Sequence, residues 1–347
     1  MNGADAEGGK DAEAERAPGL VARVERAARI ALPFVVSLGL LAWILDRIDI
    51  RLALDHVTAD VLLRFVPAIL IFSAVTLAIE AHCLHRVVAA RPEDAAPLRR
   101  SAAARIKAAC YLIGVLNHLI GAGGLALLVR RRTGASIAVA TGIVLLIALL
   151  DAGVVLASIV LGGSWLRVDS VGVQLGLVGA LVTTGVAGFV FLRAPADLGP
   201  LEPVRSLPLF NAARLVPLPT LVELGLLRIG IFVCFASLVA GLFAAFDVPI
   251  GALRLFFGVG VMLAIAALPF AVASIGTGQV AFVTVFSGLA RDAELLAMSL
   301  VLTTSIIVAR SLLGLVFAAE FTRDTGRGDP ADVARGDDRE TPGRSLG

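Results

Sequence analysis

The stretch 137–161 reads IAVATGIVLLIALLDAGVVLASIVL and carries one charged residue, Asp151, near its middle. An apolar run of this length matches the roughly 17–25 residues that an α-helix needs to cross bilayer hydrocarbon. Strands of a membrane barrel alternate at period two over about ten residues. This run is apolar all round, so a helix is predicted, and a helix satisfies its own backbone hydrogen bonds in lipid. Runs of the same kind recur at 30–45, 61–78, 171–192, 221–246 and 295–319, which gives six full spans. Composition agrees, with 58% hydrophobic and 17% charged residues over 347 positions, against about 25% charged in a soluble domain. The fold class read from the sequence is all-α, a polytopic membrane protein.

The polar ends, 1–27 and 322–347, are rich in Gly, Asp, Glu, Arg and Pro and read as disordered tails around one transmembrane domain at 28–321. The long polar stretch before the first apolar run predicts a retained anchor rather than a cleaved signal peptide. A net charge of +2 gives no case for nucleic acid. Cys83, Cys110 and Cys234 have no motif spacing and read as small apolar fillers.

Two further apolar blocks are interrupted. Block 108–129 is broken by Asn117, His118 and the run Gly121-Ala122-Gly123-Gly124, and block 255–289 by Pro269 and Gly276-Thr277-Gly278. Clustered Gly and Pro break helices. Read as re-entrant hairpins, the two blocks leave both tails, the basic stretch 86–107 and Arg130-Arg131-Arg132 on one side. Full crossings would place that arginine triplet on the other. Cytoplasmic loops carry the excess of Lys and Arg, so hairpins with both termini cytoplasmic are predicted. Each half, 28–161 and 171–321, then runs span, span, hairpin, span in opposite orientation, the inverted repeat common in transporters. The segments Ile120-Gly121-Ala122-Gly123-Gly124-Leu125-Ala126 and Ile275-Gly276-Thr277-Gly278-Gln279-Val280-Ala281 sit at the two breaks and agree at four of seven positions.

This order of features resembles the transmembrane region of lysylphosphatidylglycerol synthases and their stand-alone flippase-like relatives. The likeness runs over about 30–320. It is carried by Leu45-Asp46-Arg47-Ile48-Asp49-Ile50 after the first span, by Leu116-Asn117-His118 through Val129-Arg130-Arg131-Arg132-Thr133-Gly134, by Asp151, and by Leu268-Pro269 with Ser274-Ile275-Gly276-Thr277-Gly278-Gln279. The chain departs from the family's pattern at Gly124 and Gln279, where relatives have acidic residues, and at Ile147 and Ala148, where relatives often have a Glu-Arg pair. The resemblance therefore carries no proton or cation role to those positions. The resemblance implies the lipid-translocating half of the synthase without its aminoacyl-transferase domain.

Ionisable residues inside a membrane are functional candidates by default, at about 2.5–3.5 kcal/mol for Arg or Asp at a helix centre. Asp151 and Arg310 lie mid-span at corresponding places in the two halves. They read either as a headgroup site, Arg310 for phosphate and Asp151 for a cation or proton, or as an ion pair between packed spans. Arg228 and Glu223 read as interfacial, with Arg228 snorkelling to headgroups. His82 and His85, spaced i, i+3 beside Glu80, read as a helix end, with a metal pair as the alternative.

After each glycine break a new half-helix begins with free N–H groups, which favour anions. Asn117, Gly121, Gly123, Gly124, Gly276, Thr277, Gly278 and Gln279 are therefore candidate lipid-headgroup residues together with Asp151 and Arg310. The alternative is that the glycines serve tight tips and close helix packing. No Gly-x-Ser-x-Gly, His-Glu-x-x-His or Cys-x-x-Cys occurs, and neither break is followed by Lys-Ser or Lys-Thr. The sequence therefore predicts no enzyme, no cofactor and no catalytic or metal site. It predicts a multi-pass transporter of the plasma (inner) membrane whose partner is a membrane lipid, either a phospholipid or a lipid-linked molecule. The alternatives are a non-catalytic partner of a lipid-processing enzyme or glycosyltransferase, and a membrane enzyme that modifies headgroups.

Overall fold

The computed structural model describes residues 57–90, 95–116, 118–163, 210–266 and 276–318, with a few positions between 179 and 207. The predicted span 30–45, both tails, Asn117, Pro269 and most of 171–192 lie outside the described residues. Among the described residues the structure is helical throughout, without strands. The helices are α1 (Ala59–Ala89), α2 (Arg100–Leu116), α3 (His118–Thr133), α4 (Ile137–Gly163), α5 (Asn211–Leu215), α6 (Leu218–Ala245), α7 (Ala252–Ala266), α8 (Thr277–Val285) and α9 (Asp292–Val316). Four of these, α1, α4, α6 and α9, are long and apolar enough to cross a membrane. Their outward faces carry exposed Leu63, Leu70, Ile71, Leu226, Leu312 and Val316, a surface suited to lipid rather than water.

α1 continues past the apolar run ending at 78, because its polar last turns find partners. Arg86 donates to both Glu223 oxygens, at 2.5–2.9 Å, and His82 Nε2 lies 3.2 Å from Glu223 Oε1. His85 Nδ1 meets the Leu98 carbonyl at 2.6 Å. At the other end of the same antiparallel pair, Arg64 of α1 lies 3.3 Å from Asp247, just beyond α6.

The interrupted blocks are hairpins. A Cβ on Gly121 would lie 2.7 Å from Gly114 Cα, so α3 runs back against α2 at a distance that requires glycine at 121. The base of this hairpin is stitched by Ala96 N–H donating to the Thr133 carbonyl at 2.8 Å. α7 and α8 pack likewise, with Phe286 filling the place of a Gly258 side chain. The Arg254 guanidinium donates to the Ser287 carbonyl at the base of that second hairpin.

Packing comes in matching sets. α1 packs on α6, α2 on α9 and α7 on α4, α1 on α2 and α6 on α7, α3 on α4 and α8 on α9, α4 on α6 and α9 on α1. Exchanging α1–α4 for α6–α9 in order turns this set of pairings into itself. Two separate apolar cores result. One gathers Val61–Phe72 side chains of α1, Phe232–Phe243 of α6, Phe282 and Phe286 of the α7–α8 hairpin, and Leu295–Leu302 of α9. The other gathers Ala81–Val88 of α1, the α2–α3 hairpin, Val139–Ile147 of α4 and Leu224 of α6. α1, α4 and α6 pass from one core to the other, and Phe317, just past α9, reaches the second. Each hairpin contributes its buried residues to one core only.

Candidate functional site: a charged seam between two cores

One charge on each long helix falls near where that helix leaves one core for the other, while Arg64, Arg86 and Glu223 lie toward the helix ends. On α1, Glu80 lies between Ile79 and Ala81 at the start of the second core, eight residues past Phe72 of the first. On α6, Arg228 lies between Leu224 and Phe232, and on α4, Asp151 lies between Ile147 and Val154. On α9, Arg310 lies between Ala309 and Phe317. A charge is costly in either apolar core, so helices that must carry one place it at this crossing.

The side chains then meet across the two halves. Arg228 Nη1 lies 3.3 Å from Asp151 Oδ1. Arg228 is only 3% exposed, whereas the Asp151 side chain keeps 46% of its surface. Arg228 Nε and Nη2 are buried with no hydrogen-bond partner among the described residues; the buried Cys83 thiol lies beside the same guanidinium. On the other side of the seam, Tyr111 of α2 donates to Glu80 Oε2 at 2.5 Å. Lys107 Nζ lies 3.7 Å from the same oxygen. The Arg310 guanidinium stacks over the Tyr111 ring, 5.2 Å from its centroid, and its charge acts on Glu80. Opposite charges thus sit on corresponding helices: Glu80 on α1 against Arg228 on α6, Asp151 on α4 against Arg310 on α9. Ser73 and Thr76, also at the crossing of α1, turn their hydroxyls onto the Ile69 and Phe72 carbonyls at 2.7 and 2.6 Å, which satisfies them locally.

The predicted site residues separate into groups. Asp151 and Arg310 both belong to the seam but do not pair with each other; the partner of Asp151 is Arg228. The snorkelling reading of Arg228 does not hold, because its guanidinium is buried and turned to Asp151. Gly121 is buried against Gly114 and serves the hairpin contact, while Gly123 faces open space and Gly124 touches the Ile113 side chain. Gly276 has φ +89°, left-handed backbone that favours glycine, and starts α8. Its N–H donates to Gln279 Oε1 at 2.6 Å, so buried Gln279 caps the helix with its own side chain. Gln279 Nε2 reaches Thr303 Oγ1 of α9 at 3.4 Å. Thr277 Oγ1 is buried without a partner among the described residues, and Gly278 lies in the first turn of α8. His82 and His85 are held by Glu223 and the Leu98 carbonyl, and no group of three metal-ligating residues occurs among the described residues.

Sequence reasoning missed Glu80, Lys107 and Tyr111 as members of this seam. Two signals were present: Glu80 directly follows the apolar run from 61, and Tyr111 is the single tyrosine of the chain. Each is polar within or beside an apolar block, which in lipid calls for a partner. No protein-family model, curated protein or solved structure matches the chain.

Proposed function

We propose that the chain is a flippase-like transporter that moves a phospholipid or lipid-linked molecule between the leaflets of the plasma (inner) membrane, with both termini cytoplasmic. The observation that carries this reading is the seam. Four charged side chains from four long helices occupy the junction of two dry cores, and the contacts between them join one half of the chain to the other. In this reading the six spans and two re-entrant hairpins form an inverted repeat, which the matching pairings of α1–α4 and α6–α9 support. The headgroup enters the seam beside half-exposed Asp151 while the acyl chains stay in lipid. The halves then rock about the α1–α6 pair, a contact that maps onto itself, and present the seam to the other leaflet. Such midplane sites at a repeat interface are a recurring transporter design, and the resemblance to the translocating region of lysylphosphatidylglycerol synthases points the same way.

Reconstitution into proteoliposomes with leaflet-specific quenching of a fluorescent lipid tests the reading. Quenching of the inner-leaflet pool faster than in empty vesicles is expected. Equal rates with and without protein for phosphatidylglycerol, phosphatidylcholine and a polyprenyl phosphate would overturn it.

A further inference from the structure

Among the described residues the seam is short of one negative charge. Glu80 is matched by Lys107 and Asp151 by Arg228. Arg310 makes no ion pair among the described residues and rests on the Tyr111 ring. A cation over an aromatic face is stabilised by about 0.5–2 kcal/mol, far less than a carboxylate offers inside a low-dielectric interior. Independently, Arg228 holds two buried guanidinium nitrogens that nothing accepts from among the described residues, although buried polar groups are normally hydrogen-bonded. An excess charge and idle donors, in one seam, describe a place for an anion with several acceptor oxygens.

We propose that the seam binds a singly charged phosphodiester headgroup that carries no compensating cation, with Arg310 supplying the charge and Arg228 Nε and Nη2 the hydrogen bonds. The inference rests on the reading of the chain as a lipid carrier and specifies its substrate. A phosphodiester supplies one negative charge and the oxygen pair that fits a guanidinium fork. A zwitterionic headgroup brings its own cation and leaves the seam's excess uncorrected. Asp151, the exposed partner of the ion pair, is the group that yields when phosphate oxygens reach Arg228. Arg228 is therefore a specificity-determining residue and Asp151 its stand-in ligand.

The test uses the full chain in phosphatidylcholine nanodiscs titrated with phosphatidylglycerol, with bound lipid read by native mass spectrometry. Phosphatidylglycerol is expected to occupy the protein about tenfold more tightly than phosphatidylcholine. Arg310→Gln, which leaves no carboxylate stranded, abolishes that preference. Arg228→Lys keeps the charge, loses the fork and weakens phosphatidylglycerol by about tenfold. Asp151→Asn retains or tightens binding. Equal affinity for the two lipids, or an Arg310→Gln variant with the wild-type preference, overturns the proposal. Competition by inorganic phosphate as strong as that by phosphatidylglycerol overturns the lipid as the anion's source. Leaflet transfer of phosphatidylcholine and phosphatidylglycerol at one rate rejects this headgroup assignment and keeps the carrier. Selective binding of phosphatidylglycerol without transfer keeps the site and rejects the carrier.

Discussion

Arg228 and Asp151 form an unequal pair: the cation is sealed inside the protein and the anion that faces it at 3.3 Å is half open. Breaking a buried ion pair strands whichever charge stays behind, at about 3–5 kcal/mol when that charge is fully enclosed. Asp151→Ala strands the enclosed arginine, while Arg228→Ala strands a carboxylate that retains exposed surface. Asp151→Ala should therefore be the more destabilising, by about 1–2 kcal/mol, and the double variant milder than the sum. Thermal or denaturant unfolding in detergent, run as a double-mutant cycle, checks both the order and the coupling.

The first hairpin depends on a contact between two glycines. Gly121→Ala places a methyl 2.7 Å from Gly114 Cα, against backbone that cannot step aside, and a loss of about 1–3 kcal/mol is expected. Gly123→Ala two residues away meets nothing within 4 Å and should stay within about 0.5 kcal/mol of wild type. Melting curves of the two variants decide whether the tip is built by packing at one position or by glycine content in general.

Much of this plan is legible in the sequence, and the reason is physical. Lipid forces spans to be long and apolar, so α1, α4, α6 and α9 stand out by hydropathy alone. The Gly-rich run marks the first hairpin, but the residue that faces Gly121 is Gly114 on the opposite arm, and nothing local points to it. The partners of the charges are less legible still. Glu80 and Tyr111 are 31 residues apart, and Arg228 and Asp151 are 77 apart. Such pairs depend on which helices adjoin. Arg228 reads as a snorkelling residue only when depth is counted from the end of its own apolar run; its true surroundings are α1 and α4.

Hairpins and crossings differ in which loops share a side. Ala96 is bonded to Thr133 and Arg254 to Ser287, so each hairpin begins and ends together. Single cysteines at Arg99 and Ser136 in a background without Cys83, Cys110 and Cys234 should be labelled by an impermeant maleimide from one side of right-side-out vesicles. Cysteines at Gly251 and Ser287 should be labelled from the other. Opposite labelling of Arg99 and Ser136 would show that α2 and α3 cross the bilayer.

Cys83 offers a native reporter of the α1–α6 contact. It is fully buried next to Arg228, one residue from His82 and three from Arg86, both of which hold Glu223. Glu223→Gln removes the charge that Arg86 and His82 share, and alkylation of Cys83 should accelerate by about tenfold or more, with Cys110 and Cys234 replaced by Ala. Unchanged protection would mean that apolar packing alone keeps this end shut.

Gln279 closes the start of α8 with its own amide. Gln279→Ala leaves the Gly276 N–H buried without an acceptor, at about 1–3 kcal/mol. Hydrogen exchange at the first turn of α8 should rise well before the rest of the helix is affected.

A molecule with two greasy ends and a charged waist bends most cheaply at the waist. Prying open either end gives up the close packing of phenylalanines and leucines for looser contacts with lipid tails. At the middle, ionic partners can be traded one for another with little change in solvation. The same arrangement that makes the ends stiff thus concentrates compliance in the few turns of α1, α4, α6 and α9 that bear Glu80, Asp151, Arg228 and Arg310.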